Sequence, residues 1–445
     1  MNTRLPLLAA LLGAATFTTQ AQSLNTAKLD SLLSSLAANN KMMGSLAVSR
    51  AGQVVYSHAF GSARLAPNVP ATPATRYRMG SISKMFTATM IFQLIEEKKL
   101  TLDTKLATFF PQLPNARTIT IDQLLSHRSG LHSLTDDAAY LGYMAQPKTQ
   151  AELLTIMAAT KPDFEPGAQF KYSNSGYIVL GYLVEKLGKQ PYAQALQKRV
   201  AAKAGLKNTY YGGKIDPSKQ EALSYKPGPG GWVPDTETDM SIPGGAGAVV
   251  STPTDLDRFL EALFGGKLVS AASLAQMQTF QDKQAFGRGL MRIPFNGKQA
   301  YGHGGTIDGF QSSAGYFPDE KLAITLSTNA RSYALNDAMI GVLSICFNRP
   351  YKIPDFAAPA YVPAAADLDR YVGTYASPSL PLKVTFTKDG TTLMSEATGQ
   401  SPFALEPVSR GVFKFDPAGI RAEFAADKPT FTLKQGGREF IFTKE

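Results

Sequence analysis

Apolar residues recur at two different periods along this chain, and the changes of period divide it into elements. Leu29, Leu32, Leu33 and Leu36 share one face of a helix predicted over Leu24 to Asn39. Gly44–Arg50 and Val54–Gly61 flank the turn Ala51-Gly52-Gln53 and predict a β-hairpin. A polar, proline-containing loop from Pro67 to Thr75 leads to a helix that is apolar almost all round (Met85, Phe86, Met90, Ile91, Leu94, Ile95), which marks it as central and buried. Helical segments follow at Leu106–Phe110, Ile121–Ser126, Ala151–Ala159 and Tyr177–Leu187, with almost no strand signal in this block. The stretch from Tyr225 to Gly247 is rich in glycine and proline and contains Trp232. Thr252 then reads as an N-cap, Pro253 as the first helical position and Asp255 as a first-turn acid of a further helix. Strands return at Ala300–His303, Phe310–Phe317 and Leu322–Ser327, the last two joined by Pro318-Asp319-Glu320-Lys321, before a closing helix over Ala334–Phe347.

A hairpin at the start and strands at the end thus flank a helical middle. The simplest assembly is an α/β (α+β) fold: one antiparallel sheet built from both chain ends, flanked by helices, with the middle as a helical lobe. A proline- and alanine-rich linker runs from Ile353 to Ala366, and beyond it the period becomes two. Leu382, Val384 and Phe386 point one way; Ile420, Ala422 and Phe424 repeat the alternation, as do Phe440 and Phe442. Turns at Asp389-Gly390, Pro417-Ala418-Gly419 and Gly436-Gly437 separate these runs and predict a small antiparallel β-barrel or sandwich.

Composition narrows the partners. With 445 residues, 44% apolar and 18% charged, the chain is long enough for two domains and a sizeable core. Its net charge of +10 comes without a long basic run or basic residues interleaved with aromatics, so nucleic acid is not an expected partner. Met1-Asn2-Thr3-Arg4, the apolar run Leu5 to Phe17 and then Thr19-Gln20-Ala21 have the layout of a secretory signal peptide, with cleavage near Ala21. The apolar run is shorter than the ~20 residues that span a bilayer, and no later run reaches that length. The expected product is exported, periplasmic or extracellular, without a membrane span. Its expected divisions are a signal peptide at 1–21, a main domain at 24–349, a linker at 350–367 and a β domain at 368–445. Cys346, the single cysteine, falls in an apolar helical run and is expected to be buried and inert.

Three short motifs carry candidate chemistry. Ser81 and Lys84 stand three residues apart where the central helix begins, so they share a face beside the free N–H groups of a helix N-terminus. A serine hydroxyl needs a neighbour to take its proton, and a lysine whose pKa burial lowers can do so. About two Ser-x-x-Lys patterns are expected by chance in a chain of this length; this chain has this one, and alone it reads better as a capping serine and a surface lysine. Tyr172 and Asn174 sit two apart before the Tyr177–Leu187 helix; a phenol near cations can exchange protons, and an amide can both donate to and accept from a substrate. Alone they read as a packed tyrosine and an N-cap. Tyr301-Gly302-His303-Gly304-Gly305-Thr306 surrounds a histidine with glycines that let the backbone approach a ligand and offer oxyanion N–H groups. His127 and His132 read as structural, and no cluster has metal-ligand spacing, so no metal or cofactor is expected.

In order and spacing the three motifs resemble the serine β-lactamase and penicillin-binding-protein superfamily. Within it, the chain is most similar to the class C β-lactamase-related branch of D-Ala-D-Ala carboxypeptidase B, D-aminopeptidases and family VIII-type esterases. The resemblance spans about Leu24 to Arg349 and includes Ile119–Leu131, Phe164-Glu165-Pro166-Gly167 and Pro243–Gly247. It implies the serine β-lactamase/DD-peptidase fold, Ser81 as acylated nucleophile, Lys84 and Tyr172 as the proton-transfer pair, and Asn174 as a substrate ligand. It also implies His303 at the first position of the third motif, with Gly305 and Thr306 beside it and the Ser81 and Thr306 N–H groups as the oxyanion hole. The family's Lys-Thr-Gly is replaced by His303-Gly304-Gly305, which removes a permanent charge and a hydroxyl and leans away from β-lactams. The expected function is a cofactor-free serine hydrolase acting on a small ester, peptide or peptidoglycan-derived substrate. A weak β-lactamase, a non-catalytic peptidoglycan sensor and a lipid carrier built on the β unit are the alternatives. The C-terminal unit, with Tyr371-Val372-Gly373-Thr374-Tyr375, resembles the lipocalin-like domain appended to this family. The cleft walls are expected in Tyr225–Gly247 and the Leu131–Ala151 loop.

Overall fold

The computed structural model describes residues 24–228, 230–281, 285–356, 361–398 and 402–445; the expected signal peptide lies outside them. Among the described residues the five longest helices are α1 (Thr26–Ala38), α2 (Ser83–Glu96), α3 (Asn174–Gly188), α4 (Pro253–Phe264) and α5 (Leu335–Cys346). The main sheet takes β1 (Met42–Arg50) and β2 (Gln53–Phe60) from one chain end. From the other it takes β3 (Met291–Phe295), β4 (Lys298–Ile307), β5 (Phe310–Phe317) and β6 (Leu322–Arg331). Their order is β3-β4-β5-β6-β1-β2, with every neighbouring pair antiparallel. Both chain ends therefore build one sheet, as the strand pattern implied.

The residues of β1 explain the layering. Large Met42, Leu46 and Val48 alternate with small Ser45, Ala47 and Ser49, and all are buried, so both faces are covered. The large side chains, with Leu322, Ile324 and Leu326 of β6, pack against α1 and α5 in one core. Each fully buried aliphatic side chain contributes about 1.5–3 kcal/mol. The small side, continued by Ala323, Thr325 and Ser327, lets α4 lie close to the strands. Thr252 caps α4 by accepting the Asp255 N–H at 3.2 Å, as its sequence predicts. A second core surrounds α2, in which every residue from Ser83 to Leu94 is buried.

Three details differ from the sequence reading. The Pro67–Thr75 loop is partly a ribbon, with Asn68–Pro70 paired to Ser62–Leu65. The helical middle contains short strands: Tyr77–Arg78 and Tyr210–Tyr211 both pair with Val249–Ser251, and Tyr225–Gly228 pairs with Gly231–Pro234. Strands of two to four residues are too short to show a period. The edge strand β3 contains Pro294, which suppresses a strand signal yet is tolerated at a sheet edge.

Beyond the linker, eight strands from Gly373–Ser377 to Arg438–Lys444 close into an antiparallel barrel. Its interior holds Tyr375, Phe386, Phe413, Phe431 and Phe442. The Phe386–Phe431 and Phe431–Phe442 ring centroids lie 5.0 and 4.9 Å apart. Packed rings fill the space a carried lipid would need, which counts against the carrier alternative. Among the described residues, no helix is long and apolar enough to cross a membrane.

Candidate active site

Ser81 lies in a tight 3₁₀ turn, Gly80–Ile82, that leads into α2; the helix proper starts two residues later than the sequence suggested. Gly80 adopts φ +49°, and a Cβ there would strike the Thr306 backbone at 2.7 Å. A Cβ on Gly305 would lie 2.0 Å from the Met79 carbonyl oxygen. These two glycines let β4 lie directly against the Ser81 turn, which brings the Thr306 backbone beside the serine. The turn is pinned from the other side, where the Val249 N–H donates to Ser83 Oγ at 2.9 Å and the Met79 N–H donates to the Val249 carbonyl at 2.8 Å.

Lys84 is fully buried one helical turn on. Its Nζ lies 3.0 Å from Ser81 Oγ, 2.8 Å from Asn174 Oδ1 and 2.9 Å from the Ala246 carbonyl oxygen. None of these partners is a carboxylate, so burial alone acts on the ammonium and pushes it well below the usual lysine range. A neutral amine has two N–H donors and one lone pair. Asn174 and Ala246 take the two donors, which leaves the lone pair facing the Ser81 hydroxyl.

Asn174 is the first residue of α3, and the cap is Ser173, whose Oγ accepts the Gly176 N–H; the N-cap reading of Asn174 is therefore off by one. This frees its side chain to bridge Lys84 and Thr135, whose Oγ1 accepts from Nδ2 at 2.9 Å. Ser133 Oγ accepts the Asn174 N–H at 3.1 Å, which clamps the start of α3 to the neighbouring loop.

The Tyr172 ring lies 4.9 Å from Lys84 Nζ. Its hydroxyl is buried and faces Ser81 without a hydrogen bond of normal geometry. Burial pushes the phenol above its usual range, against a smaller opposing effect of Ser81, so it stays protonated at neutral pH. Beneath it lies His127, stacked at 4.2 Å and 26°. His127 adopts φ 56°, accepts the Ser173 N–H on Nδ1 at 3.2 Å, and is held neutral by burial, Lys84 and His303. The sequence reading set His127 aside as structural; its signal, a polar residue within Leu124-Leu125-Ser126-His127, does not show what it supports. His303 is buried on β4, its ring 6.3 Å from that of Tyr172, with Nδ1 against the Gly304 carbonyl. Burial and Lys84 push its pKa down to about 3, so it is neutral under ordinary conditions. His132 lies between Asp163 and Asp137 at 2.8 and 3.2 Å, which raises its pKa chiefly through the Asp163 hydrogen bond. Among the described residues no group of three or more His, Cys, Asp or Glu could hold a metal. Cys346 is buried, and burial pushes its thiol up to about 12.

The assembled groups can deliver a serine to a carbonyl carbon, take its proton on a neutral amine, and present a protonated phenol and backbone N–H groups to the atoms that change charge. All seven residues singled out from the sequence, Ser81, Lys84, Tyr172, Asn174, His303, Gly305 and Thr306, lie together around the cleft.

Known proteins share both sequence and fold with this chain. A family model described as Beta-lactamase matches residues 29–340. Penicillin-binding protein 4* of Bacillus subtilis is 26% identical over 92% of this chain and 97% of its own length. A D-aminopeptidase of Brucella canis is 27% identical over 70% of this chain, and the match spans 60% of that relative. Among solved structures, the D-amino acid amidase from Ochrobactrum anthropi complexed with L-phenylalanine amide superposes with a TM-score of 0.64 at 26% identity, covering 73% of this chain and 99% of that one. The octameric penicillin-binding protein homologue from Pyrococcus abyssi matches in fold across 94% of this chain and 100% of its own, with a TM-score of 0.66 and 23% identity.

Proposed function

Because the chain belongs to the beta-lactamase family, we propose that it is an exported serine hydrolase that forms an acyl-enzyme on Ser81 with an ester, amide or peptide substrate. The observation that carries this reading is Lys84: buried, paired only with neutral acceptors, and 3.0 Å from Ser81 Oγ. In this reading Ser81 Oγ bonds to the substrate carbonyl carbon as its proton passes to Lys84. Tyr172, protonated at neutral pH, relays a proton to the leaving atom. The Ser81 and Thr306 N–H groups receive the oxyanion, with Gly305 keeping β4 close, and Asn174 orients Lys84 and the substrate carbonyl. His303, being neutral, hydrogen-bonds rather than attracts charge. Water then releases the acyl group by the same proton path reversed.

The kinship with a D-aminopeptidase and a D-amino acid amidase supports amide or peptide chemistry, and the replacement of the family's third-motif lysine by His303 supports neutral substrates. The proposed organisation is a signal peptide at 1–21, a hydrolase domain at 24–349, a linker at 350–367 and a β domain at 368–445. Kinship with penicillin-binding proteins keeps a weak β-lactamase and a sensor as alternatives. The test is Ser81→Ala, which is expected to abolish both turnover of p-nitrophenyl esters and D-amino-acid p-nitroanilides and labelling by a fluorophosphonate. Labelling that persists at another residue overturns the assignment. Rapid nitrocefin turnover favours the β-lactamase alternative, and a stoichiometric burst without turnover favours the sensor.

A further inference from the structure

Two openings meet at Ser81, and different catalytic side chains line them. The larger, about 480 Å³, passes Tyr172 and runs between β3 and α5 over Met291, Ile293, Phe295, Leu335, Met339 and Leu343. The smaller, about 250 Å³, passes Asn174 and mixes polar walls (Thr135, Thr238 and Asp308) with apolar ones (Leu134, Ile178 and Ile242). Asp308 is already engaged: its carboxylate pairs with Arg78 at 2.9 Å and accepts from the Thr238 N–H and hydroxyl at 3.0 and 2.6 Å. Among the described residues lining either opening there is no lysine or arginine. The one imidazole there, His303, is neutral.

We infer that the larger opening receives the leaving group of the substrate, and that this group is uncharged and apolar: an alkyl or arylalkyl alcohol or amine. The inference rests on the Ser81 acyl-enzyme reading. The atom that gains a proton as its bond to carbon breaks must lie within reach of a protonated hydroxyl. Tyr172 lines the larger opening, whereas Asn174 lines the smaller. As the Ser81 Oγ–carbon bond forms, the bond from that carbon to the leaving oxygen or nitrogen breaks, and the electron pair goes to the leaving atom. The proton given up by Ser81 reaches the leaving atom through Lys84 and Tyr172. A neutral alcohol or amine departs along the apolar wall while the acyl group stays in the smaller opening. A leaving group that bears a carboxylate, as a terminal amino acid does, would lie against these side chains with no cation to pair it.

The test is an ester series with one acyl group, acetate, and leaving alcohols from ethanol to hexanol, together with the matched carboxylate-terminated ester of 6-hydroxyhexanoate. Each added methylene should raise kcat/KM about two- to fourfold until the wall is covered, so the hexyl ester should exceed the ethyl ester by at least about tenfold. The carboxylate-terminated ester should fall at least about tenfold below the hexyl ester. Asn336→Lys, at an exposed residue that lines the larger opening, should narrow that gap by placing a cation there. A flat series, or an equal rate for the carboxylate ester, overturns the inference. In those cases Ser81→Ala still silences every ester, so the nucleophile reading stands. If no ester is hydrolysed in a Ser81-dependent way, both readings fall.

Discussion

At the scale of single residues, Lys84 sets the pH behaviour. In the proposed mechanism the working form of the amine is neutral, and burial holds its pKa well below the usual lysine value. kcat/KM should therefore rise with pH through the pKa of Lys84 and reach its plateau well below the pH at which an ordinary lysine titrates. The Tyr172 proton, held above the usual phenol range, should keep the profile from falling near pH 10. Because His303 titrates at about 3, His303→Asn should change rates without moving the rising limb; a shifted limb in a pH–rate profile would assign it to the imidazole. Lys84→Arg cannot shed a proton and is expected to lower kcat by about 10²–10⁴. His127 is buried under the Tyr172 ring and lines neither opening at Ser81. His127→Ala should remove the stacked ring under Tyr172 and lower kcat by about tenfold or more with KM little changed, since displacing a proton-transfer group by about 1 Å can cost 10²-fold. The shared face of Ser81 and Lys84 was legible from helical spacing, but their reading as a nucleophile pair came only with the two further motifs and the family resemblance that all three carry. The role of His127 was not, because it depends on a left-handed backbone and on a ring brought from a residue 45 positions later.

Among the elements, the contact of α4 with the sheet contains a group the chemistry does not use. Asp257 on α4 is fully buried and faces the hydroxyls of Ser49 on β1 and Thr325 on β6, with none of these side-chain oxygens in a hydrogen bond of normal geometry. Burial pushes its carboxyl well above the usual range. The folded protein then keeps this proton to a higher pH than the unfolded chain does. Stability is fully present below the unfolded pKa of about 3.9 and is lost as pH rises toward the folded value. Asp257→Asn should be close to neutral for Tm near pH 4 and stabilising by about 2–4 °C or more at pH 8, since about 1 kcal/mol moves a large domain by that much. An equal shift at both pH values in thermal melts would remove ionisation from the explanation. The small-residue face that admits α4 could be read in β1, where Ser45, Ala47 and Ser49 alternate with larger residues. Which helix covers that face could not, because α4 is distant in sequence and its amphipathic pattern fits any buried partner equally well.

For the whole molecule, the question is whether the barrel takes part in catalysis. Its core is a separate cluster from the two large cores that precede the linker. The junction is local: Lys41 pairs with Asp416 at 3.3 Å, and the barrel turn at Gly419 lies against Ala334 and Asp337 at the start of α5. A Cβ on Gly419 would come within 2.9 Å of the Asp337 carboxylate. None of the groups around Ser81 belongs to the barrel. A chain ending at Phe356, which keeps Tyr351, Ile353 and Phe356 packed on the main core, should therefore fold and keep Ser81-dependent turnover of short esters within a few-fold of the full chain. α5 starts under the barrel and lines the apolar opening with Leu335, Met339 and Leu343. If the barrel steadies that wall, its removal should raise KM for the hexyl ester more than for the ethyl ester and leave kcat for the ethyl ester nearly unchanged. Equal losses on both esters would instead place the barrel's contribution in the stability of the main domain, and a Tm measured on the same truncated chain would show it as a drop of several degrees.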